Sequence, residues 1–284
     1  MTSALKPIIK VAVIGCGWLG LPLAKQLVAN GHTVMGSTRN IDKHPTLKEQ
    51  GIEPVNLILG KLDEEAITKL KTCHCWIINI PPGRHSVEPE VFTQQMFELI
   101  DHVIESNLEH LVFVSTTSVY GDQSGVITEL SDYQPTTKSG IAHQHIEQYI
   151  TTHLNAKSSI IRLAGLVDEK RHPVHFLASK QALKSPCQAV NLIHKEDVCS
   201  AIIRLVALGP QTKPLLLAAS EHPSRNDYYR WAAKSLGLVP PEFIQSSDDV
   251  LEGKKIDSSE TLKRLGLTLK YESPYQMLEP ELTK

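Results

Sequence analysis

Gly15, Gly17 and Gly20 stand at G-x-G-x-x-G spacing, directly after the apolar run Val11-Ala-Val-Ile14. The residues that follow repeat apolar side chains at helical spacing: Leu19, Leu23, Leu27 and Val28. A strand, a tight turn and a helix form the setting in which these glycines do chemistry. Gly15 permits the turn, Gly17 lets the backbone approach a pyrophosphate, and Gly20 lets the helix pack on the strand. The helix N-terminus then offers N–H groups and a positive dipole end to the phosphates. The segment reads as dinucleotide-binding, with Trp18 and Leu19 inside the turn as further contacts. The bland reading is a glycine turn in some other α/β protein.

A second signal ends the next strand, at Ser37-Thr38-Arg39. An NAD-preferring site carries an acid there, accepting from the ribose 2′-hydroxyl. Thr38 stands at that position and Arg39 follows it. A small hydroxyl beside a guanidinium suits a 2′-phosphate, because Arg binds phosphate through paired N–H groups. This favours NADP, with NAD as the alternative if Arg39 is an ordinary surface arginine or if Asp42 accepts the hydroxyl.

Two further stretches border the expected ligand edge. Asn79-Ile80-Pro81-Pro82-Gly83 is a stiff turn at the carboxyl end of a strand, which is the ligand side of such a sheet. Ser115 to Ser118 is a line of hydroxyls leaving a continuous apolar strand, suited to nicotinamide or substrate contacts. The competing readings are a plain strand-to-helix turn for the first and turn formation by side-chain hydrogen bonds for the second. Cys73-His74-Cys75 resembles metal chemistry, but alternate strand residues face opposite sides, so the cysteines would share a face without the histidine. No metal site is expected. His143 and His145 are two apart on a helix and cannot share a face. His194 and Asp197 read either as a site or, more readily, as a tie across a strand–helix junction. Arg162 could contact substrate or bridge a carboxylate.

The elements that must position these residues alternate strand and helix. Strands are expected at Ile8–Ile14, Thr33–Gly36, Val55–Leu59, Cys75–Ile80, Leu111–Ser115 and Ser159–Leu163. Helices are expected at about Gly17–Ala29, His44–Gly51, Leu62–Leu70, Glu90–Asn107 and Gly140–Leu154. Asp122–Ser139 is a polar loop long enough to suggest a lid. Beyond Leu163 the rhythm loosens: helix at Pro173–Ala182, strand at Ala189–Ile193, helix at Lys195–Ala207, strand at Leu215–Ala218, helix at Arg225–Leu236, then a short strand and helix over Gly253–Leu265. The organisation expected is a dinucleotide-binding domain over 1–165 and a smaller, interleaved substrate-binding lobe over 166–284.

The chain has 284 residues and a net charge of −2, which suggests neither nucleic-acid binding nor a polybasic membrane surface. Its 5 cysteines are odd in number and lack zinc-site spacing, which fits reduced thiols in a cytoplasm. The first residues run straight into a strand, leaving no room for a signal peptide. No apolar run approaches the ~18 residues of a membrane span.

Taken together, these residues resemble the extended and atypical branches of the short-chain dehydrogenase/reductase superfamily, in the NAD-dependent epimerase/dehydratase group. Val114-Ser-Thr-Thr-Ser-Val-Tyr-Gly121 resembles its hydroxyl-rich strand end. Ile161-Arg-Leu-Ala-Gly165 with Arg171-His-Pro173 is similar to its sixth-strand segment. Asn191-Leu-Ile-His-Lys-Glu-Asp197 is similar to its Asn-x-Ile-His-x-x-Asp segment, and Ala218–Pro223 and Trp231–Pro241 resemble its C-terminal lobe. The resemblance implies an α/β, NAD(P)-binding Rossmann fold: a doubly wound parallel sheet with a small C-terminal mixed α/β lobe. It also implies homodimers built on Glu90–Asn107 and Gly140–Leu154.

One departure matters most. The superfamily's catalytic pair is Tyr-x-x-x-Lys, the Tyr as acid/base and the Lys lowering its pKa and holding the nicotinamide ribose. Counted from Pro135 to Glu147, the Tyr position falls on Ser139 and the Lys position on His143. Tyr133 and Lys138 lie close, at the wrong spacing. The Ser/Thr that bonds the substrate oxygen falls on Thr116. The first hypothesis is therefore an NADP-binding oxidoreductase, epimerase or dehydratase acting on a small, sugar-like polar substrate. Thr116 orients the oxygen, and His143 or Tyr133 replaces the usual acid/base. Gly15, Gly17, Trp18, Leu19, Gly20, Thr38, Arg39, Ile80, Pro81, Pro82 and Ser115 are its candidate cofactor contacts. The alternative is a non-catalytic NADP-binding sensor or regulatory protein. A hydrolase lacks support, because there is no G-x-S-x-G elbow and no metal-ligand constellation.

Overall fold

A computed structural model describes residues 9–82, 88–244 and 250–278. Ile8 and Gly83, placed by sequence in the first strand and the turn after the fourth, lie outside those residues.

Each early element follows from its local chemistry. β1 (Lys10–Ile14) is apolar and buried from Val11 onward. α1 (Gly20–Ala29) buries Leu23, Ala24 and Leu27. It begins three residues later than expected, because Gly17 N–H turns back to the Gly15 carbonyl at 2.8 Å and the helical ladder starts with Leu21 N–H on the Gly17 carbonyl. β2 (Thr33–Thr38) runs two residues further than expected, so Ser37 and Thr38 are strand residues. α2 (His44–Glu49) leads into β3 (Ile52–Asn56), which lies three residues earlier than the sequence suggested. α3 (Glu64–Leu70) is capped by Asp63, whose carboxylate accepts from Ala66 N–H at 2.9 Å. β4 (Cys75–Ile78), α4 (Pro89–Ile104) and β5 (His110–Thr116) follow.

The expected lid is not a plain loop. It holds β6 (Gly125–Ile127) and gives way at Lys138 to α5 (Lys138–Leu154), capped by the Thr137 hydroxyl. β7 (Ser158–Leu163) and β8 (Gly165–Val167) come next. The helix expected at Pro173–Ala182 shrinks to α6 (Val174–Leu177), because Ser179 and Ala182 adopt left-handed backbone, at φ 61° and 54°. The remaining elements are β9 (Leu192–His194), α7 (Lys195–Leu208), β10 (Gln211–Leu217), α8 (Arg225–Ser235), β11 (Lys254–Ile256) and α9 (Ser259–Leu265).

Seven strands form one sheet in the order β10-β7-β5-β4-β1-β2-β3. β1 pairs in parallel with β2 and with β4, β2 with β3, and β4 with β5. The chain winds outward from β1 through β2 to β3, then returns to β4 on the other side of β1. The sheet is doubly wound, and its switch point lies between β1 and β4, where such sheets hold ligands beyond their carboxyl ends.

The chain forms two compact units. The first takes Met1–Val119, Pro135–Arg162 and Cys199–Leu215; the second takes Tyr120–Gln134, Leu163–Val198 and Leu216–Lys284. The first unit is cored by Ile14, Trp76, Ile78, Phe92, Met96, Leu111, Phe113 and Ile146 among others. The second has its own core around Val174, Leu192, Tyr228 and Met277, with the small parallel pairs β6–β11 and β8–β9. Among the described residues no helix is long and apolar enough to cross a membrane.

Candidate functional site

The glycine turn is fixed from two sides. Gly15 adopts φ +102°, and a Cβ there would lie 2.6 Å from the Asn79 carbonyl oxygen at the end of β4. A Cβ on Gly20 would lie 2.1 Å from the Gly15 carbonyl oxygen, so only glycine lets α1 start this close to the turn. From the β2 side, Ser37 accepts from Gly15 N–H through its hydroxyl at 2.9 Å and from Cys16 N–H through its carbonyl at 2.8 Å. Gly17 differs: nothing lies within 4 Å of where its Cβ would be. That open space borders the start of α1, which has no side-chain cap and no acidic residue in its first turn. Its amide donors and dipole end are available to an anion, and a dinucleotide pyrophosphate fits this donor set.

The other candidate cofactor contacts divide. Trp18 is half-buried at the turn. Leu19 is 4 % exposed, so its side chain belongs to the core and only its backbone faces the turn. Thr38 uses its hydroxyl locally, accepting from Asn40 N–H at 3.2 Å. Arg39 is exposed, and no carboxylate engages it among the described residues. Asp42 also stays exposed, with its N–H on the Asn40 side chain. After β4, Asn79 N–H closes the sheet on the Ile14 carbonyl at 2.9 Å. Ile80 packs at the core edge, Pro82 is half-buried and Pro81 is exposed.

β5 and α5 carry the other half of the site. A Cβ on Gly140 would lie 2.6 Å from the Ser118 carbonyl oxygen, so the first turn of α5 sits directly on the turn that follows β5. This contact brings the Thr116–Ser118 segment to the end of the helix that holds Ser139 and His143. Thr116 is half-buried; its hydroxyl donates to Ser118 Oγ at 3.0 Å and accepts from Ser118 N–H at 3.1 Å. The hydroxyls of this stretch therefore also shape the turn, as the competing reading held.

Ser115 uses its hydroxyl within the protein. Its hydroxyl donates to the carboxylate of Glu147, which is fully buried. Arg162, also buried, clamps that carboxylate with Nε at 3.0 Å and a terminal nitrogen at 2.7 Å. Of the two roles open to Arg162, bridging a carboxylate is the one it performs. Glu147 escaped sequence reasoning as a site residue. The available signal was an arginine inside a strand whose every residue is buried, which requires a buried counter-charge.

His143 is 6 % exposed. Its Nδ1 lies 2.8 Å from the Ser139 carbonyl oxygen, which can only accept, so Nδ1 carries the proton and Nε2 is the acceptor in the neutral ring. Burial lowers the pKa of this imidazole, opposed by the Ser139 carbonyl and the Glu147 carboxylate. The ring lies 6.0 Å from that of Phe113, and Nε2 has no hydrogen-bond partner among the described residues. Thr116 and His143 thus share the first unit. Tyr133 belongs to the second, in the stretch 120–134.

The second unit uses its polar groups structurally. The Asp197 carboxylate accepts from Lys270 N–H at 2.7 Å and Tyr271 N–H at 3.1 Å, and the His194 ring lies 3.8 Å from that of Tyr271. In β4 and the turn before it, Cys73 and Cys75 are buried while His74 is exposed.

A doubly wound sheet with an open, uncapped glycine turn at its switch point defines a Rossmann-type dinucleotide-binding protein. The chain belongs to the NAD(P)H-binding family, whose profile matches residues 15–207. It is 35% identical over 271 residues to Protein YeeZ of Escherichia coli strain K12, covering 94% of this chain and 98% of that one. Its fold is that of epimerase/dehydratase-type short-chain dehydrogenases. UDP-glucuronic acid 4-epimerase from Bacillus cereus, solved with NAD, matches at TM-score 0.75 and 17% identity over 96% of this chain and 95% of that one. The Bordetella bronchiseptica enzyme WbmG, also solved with NAD, matches at TM-score 0.76 and 16% identity over 94% and 90%. A conserved protein of unknown function from Silicibacter pomeroyi matches at TM-score 0.72 and 22% identity over 93% and 95%.

Proposed function

We propose that the protein is an NADP-dependent oxidoreductase, of the epimerase/dehydratase type, acting on the alcohol or carbonyl of a small polar, sugar-like substrate. The observation that carries the reading is the exposed Arg39, unengaged by any carboxylate among the described residues, at the end of a strand whose Ser37 is hydrogen-bonded into the glycine turn. A 2′-phosphate gives that guanidinium its partner, and Thr38 in place of an acid removes the group that would repel it.

A bound nicotinamide supplies hydride acceptance or donation. The chain supplies the rest. The Gly15–Gly20 backbone and the start of α1 hold the phosphates. The Thr116 hydroxyl donates to the reacting oxygen. Nε2 of His143 takes the proton as an alcohol is oxidised and returns it as a carbonyl is reduced; Tyr133 is the alternative acid/base. The likeness to structures solved with UDP-sugars, such as MoeE5 with UDP-glucose and NAD, supports a sugar-like alcohol. A second reading, an NADP-binding regulator without turnover, is favoured by Ser139 and His143 standing where the superfamily has Tyr and Lys.

Calorimetric titration with NADP⁺ and NAD⁺ tests the first step. NADP⁺ should bind more tightly than NAD⁺, and Arg39→Ala should weaken NADP⁺ by about tenfold with little effect on NAD⁺. Equal loss for both cofactors, or none, removes Arg39 from the reading. A screen of sugar alcohols and nucleotide sugars then separates enzyme from regulator. Turnover that collapses in His143→Ala while NADP⁺ affinity is kept identifies His143 as the acid/base. Turnover that survives there and is lost in Tyr133→Phe assigns the role to Tyr133.

A further inference from the structure

The Ser115–Glu147–Arg162 cluster is the most buried charged group in the first unit, and the reaction outlined above does not use it. Glu147 is 0% exposed and Arg162 2%. An ion pair of this kind is expensive to desolvate, and apolar residues of similar volume would hold the fold at least as well. Its position is informative. Glu147 lies one helical turn beyond His143, on the same face of α5. Ser115, which donates to it, immediately precedes Thr116. One carboxylate thus ties together the strand that carries Thr116, the helix that carries His143, and β7.

We propose that Glu147, held in place by Arg162 and Ser115, is a positioning residue for His143: its carboxylate is the charge that keeps this buried imidazole able to accept a proton. The inference rests on the reading of His143 as the acid/base. Burial works against a protonated ring here; the Ser139 carbonyl opposes it first, as a hydrogen-bond acceptor, and the Glu147 carboxylate next, as the one charge that does so. Other charges do not do this job among the described residues. On β5 the Phe113 ring lies 6.0 Å from that of His143, and the strand's one titratable residue, His110 at its opposite end, is engaged with Ser159 Oγ at 2.8 Å. The buried face of α4 is Phe92, Thr93, Met96, Leu99, Ile100 and Val103, with no charge on it. On α5 itself, Lys138 is exposed and paired with Glu88, and His145 is exposed. Arg162 reaches the carboxylate from β7 and cancels part of its charge; Glu147 shares the imidazole's own helix face.

The test is the titration of His143, read by NMR from the ring Cε1–H signal in the full chain and assigned by its loss in His143→Gln. Glu147→Gln removes the carboxylate and leaves the Arg162 cation, so the midpoint should fall by about one pH unit. Should that variant fail to fold with a lone buried cation, Glu147→Gln/Arg162→Met removes both charges, and the midpoint should still fall, by about half a unit. Arg162→Lys keeps both charges and should leave the midpoint in place. A folded variant lacking Glu147 with an unmoved His143 midpoint overturns the proposal and leaves the cluster a structural tie, which would cost stability without touching the titration. The measurement needs no substrate, so a His143 without catalytic role, shown by turnover surviving His143→Ala, is a separate result.

Discussion

At Gly15 a Cβ would press 2.6 Å from a backbone oxygen and φ is +102°, whereas at Gly17 nothing lies within 4 Å. The two glycines of one motif therefore serve different ends, and substitution should separate them. Gly15→Ala is expected to destabilise the fold by roughly 2–4 kcal/mol, from steric overlap and left-handed backbone strain. Gly17→Val adds a side chain to open space, so its melting temperature should stay within about 2 °C of wild type. Its NADP⁺ affinity should still fall by more than about tenfold, because the new side chain occupies the pyrophosphate's space. Thermal unfolding and calorimetry on the two variants check both halves. A Gly17→Val protein that binds NADP⁺ normally would mean the phosphates do not lie there.

Helix α5 is the element on which the site turns. Its first turn rests on the Ser118 carbonyl through Gly140, the next turn carries His143, and its middle is clamped to β5 and β7 through Glu147. Removing one member of a buried ion pair strands the other. Arg162→Met alone should cost about 3–5 kcal/mol in urea unfolding, and the double variant with Glu147→Gln should be more stable than Arg162→Met. Additive losses in the pair would show that the two residues stabilise the fold independently. Gly140→Ala should also lower stability, because the carbonyl it meets is backbone and cannot swing aside.

Over the whole molecule, pH acts through buried neutral histidines. In the second unit, His172 Nε2–H donates to the Tyr228 hydroxyl at 2.9 Å, Nδ1 accepts from Val174 N–H at 3.1 Å, and Tyr228 donates to the Pro274 carbonyl at 3.0 Å. Both ring nitrogens are used in the neutral form, and burial lowers the pKa from 6.5 to about 4. The unfolded chain takes up the proton first as pH falls. The stabilising contribution is therefore complete above about pH 6.5 and declines between pH 6.5 and 4, by about 1.4 kcal/mol per unit and ~3 kcal/mol in all. Burial shifts His143, His194 and His222 in the same direction, which steepens the slope. Urea unfolding between pH 7.5 and 4.5 should show this decline, and His172→Gln should flatten it. An unchanged slope in that variant would assign the acid sensitivity to other groups.

What was legible in the residues alone is what depends on short-range order. The glycine spacing, the helical stripe of Leu19, Leu23 and Leu27, and the apolar runs of β1, β4 and β5 mark the strand–turn–helix unit and its neighbouring strands, because backbone permissiveness and hydrophobic period are properties of neighbouring residues; the doubly wound sheet was implied by the family resemblance, and its strand order and switch point came from the structure. Arg39 was legible for the same reason, as it follows directly from the end of β2. Packing between elements sets which partner each polar group meets. Ser115 read as a ligand contact and serves Glu147; Leu19 read as a cofactor contact and its side chain packs in the core. The helix expected from Pro173 stops at Leu177 because left-handed residues that periodicity does not register follow it. Arg162 finds Glu147 across 15 residues, and the Ser118 carbonyl excludes a side chain at Gly140 across 22. Such contacts join elements that only packing brings together, so the spacing within any one element does not encode them.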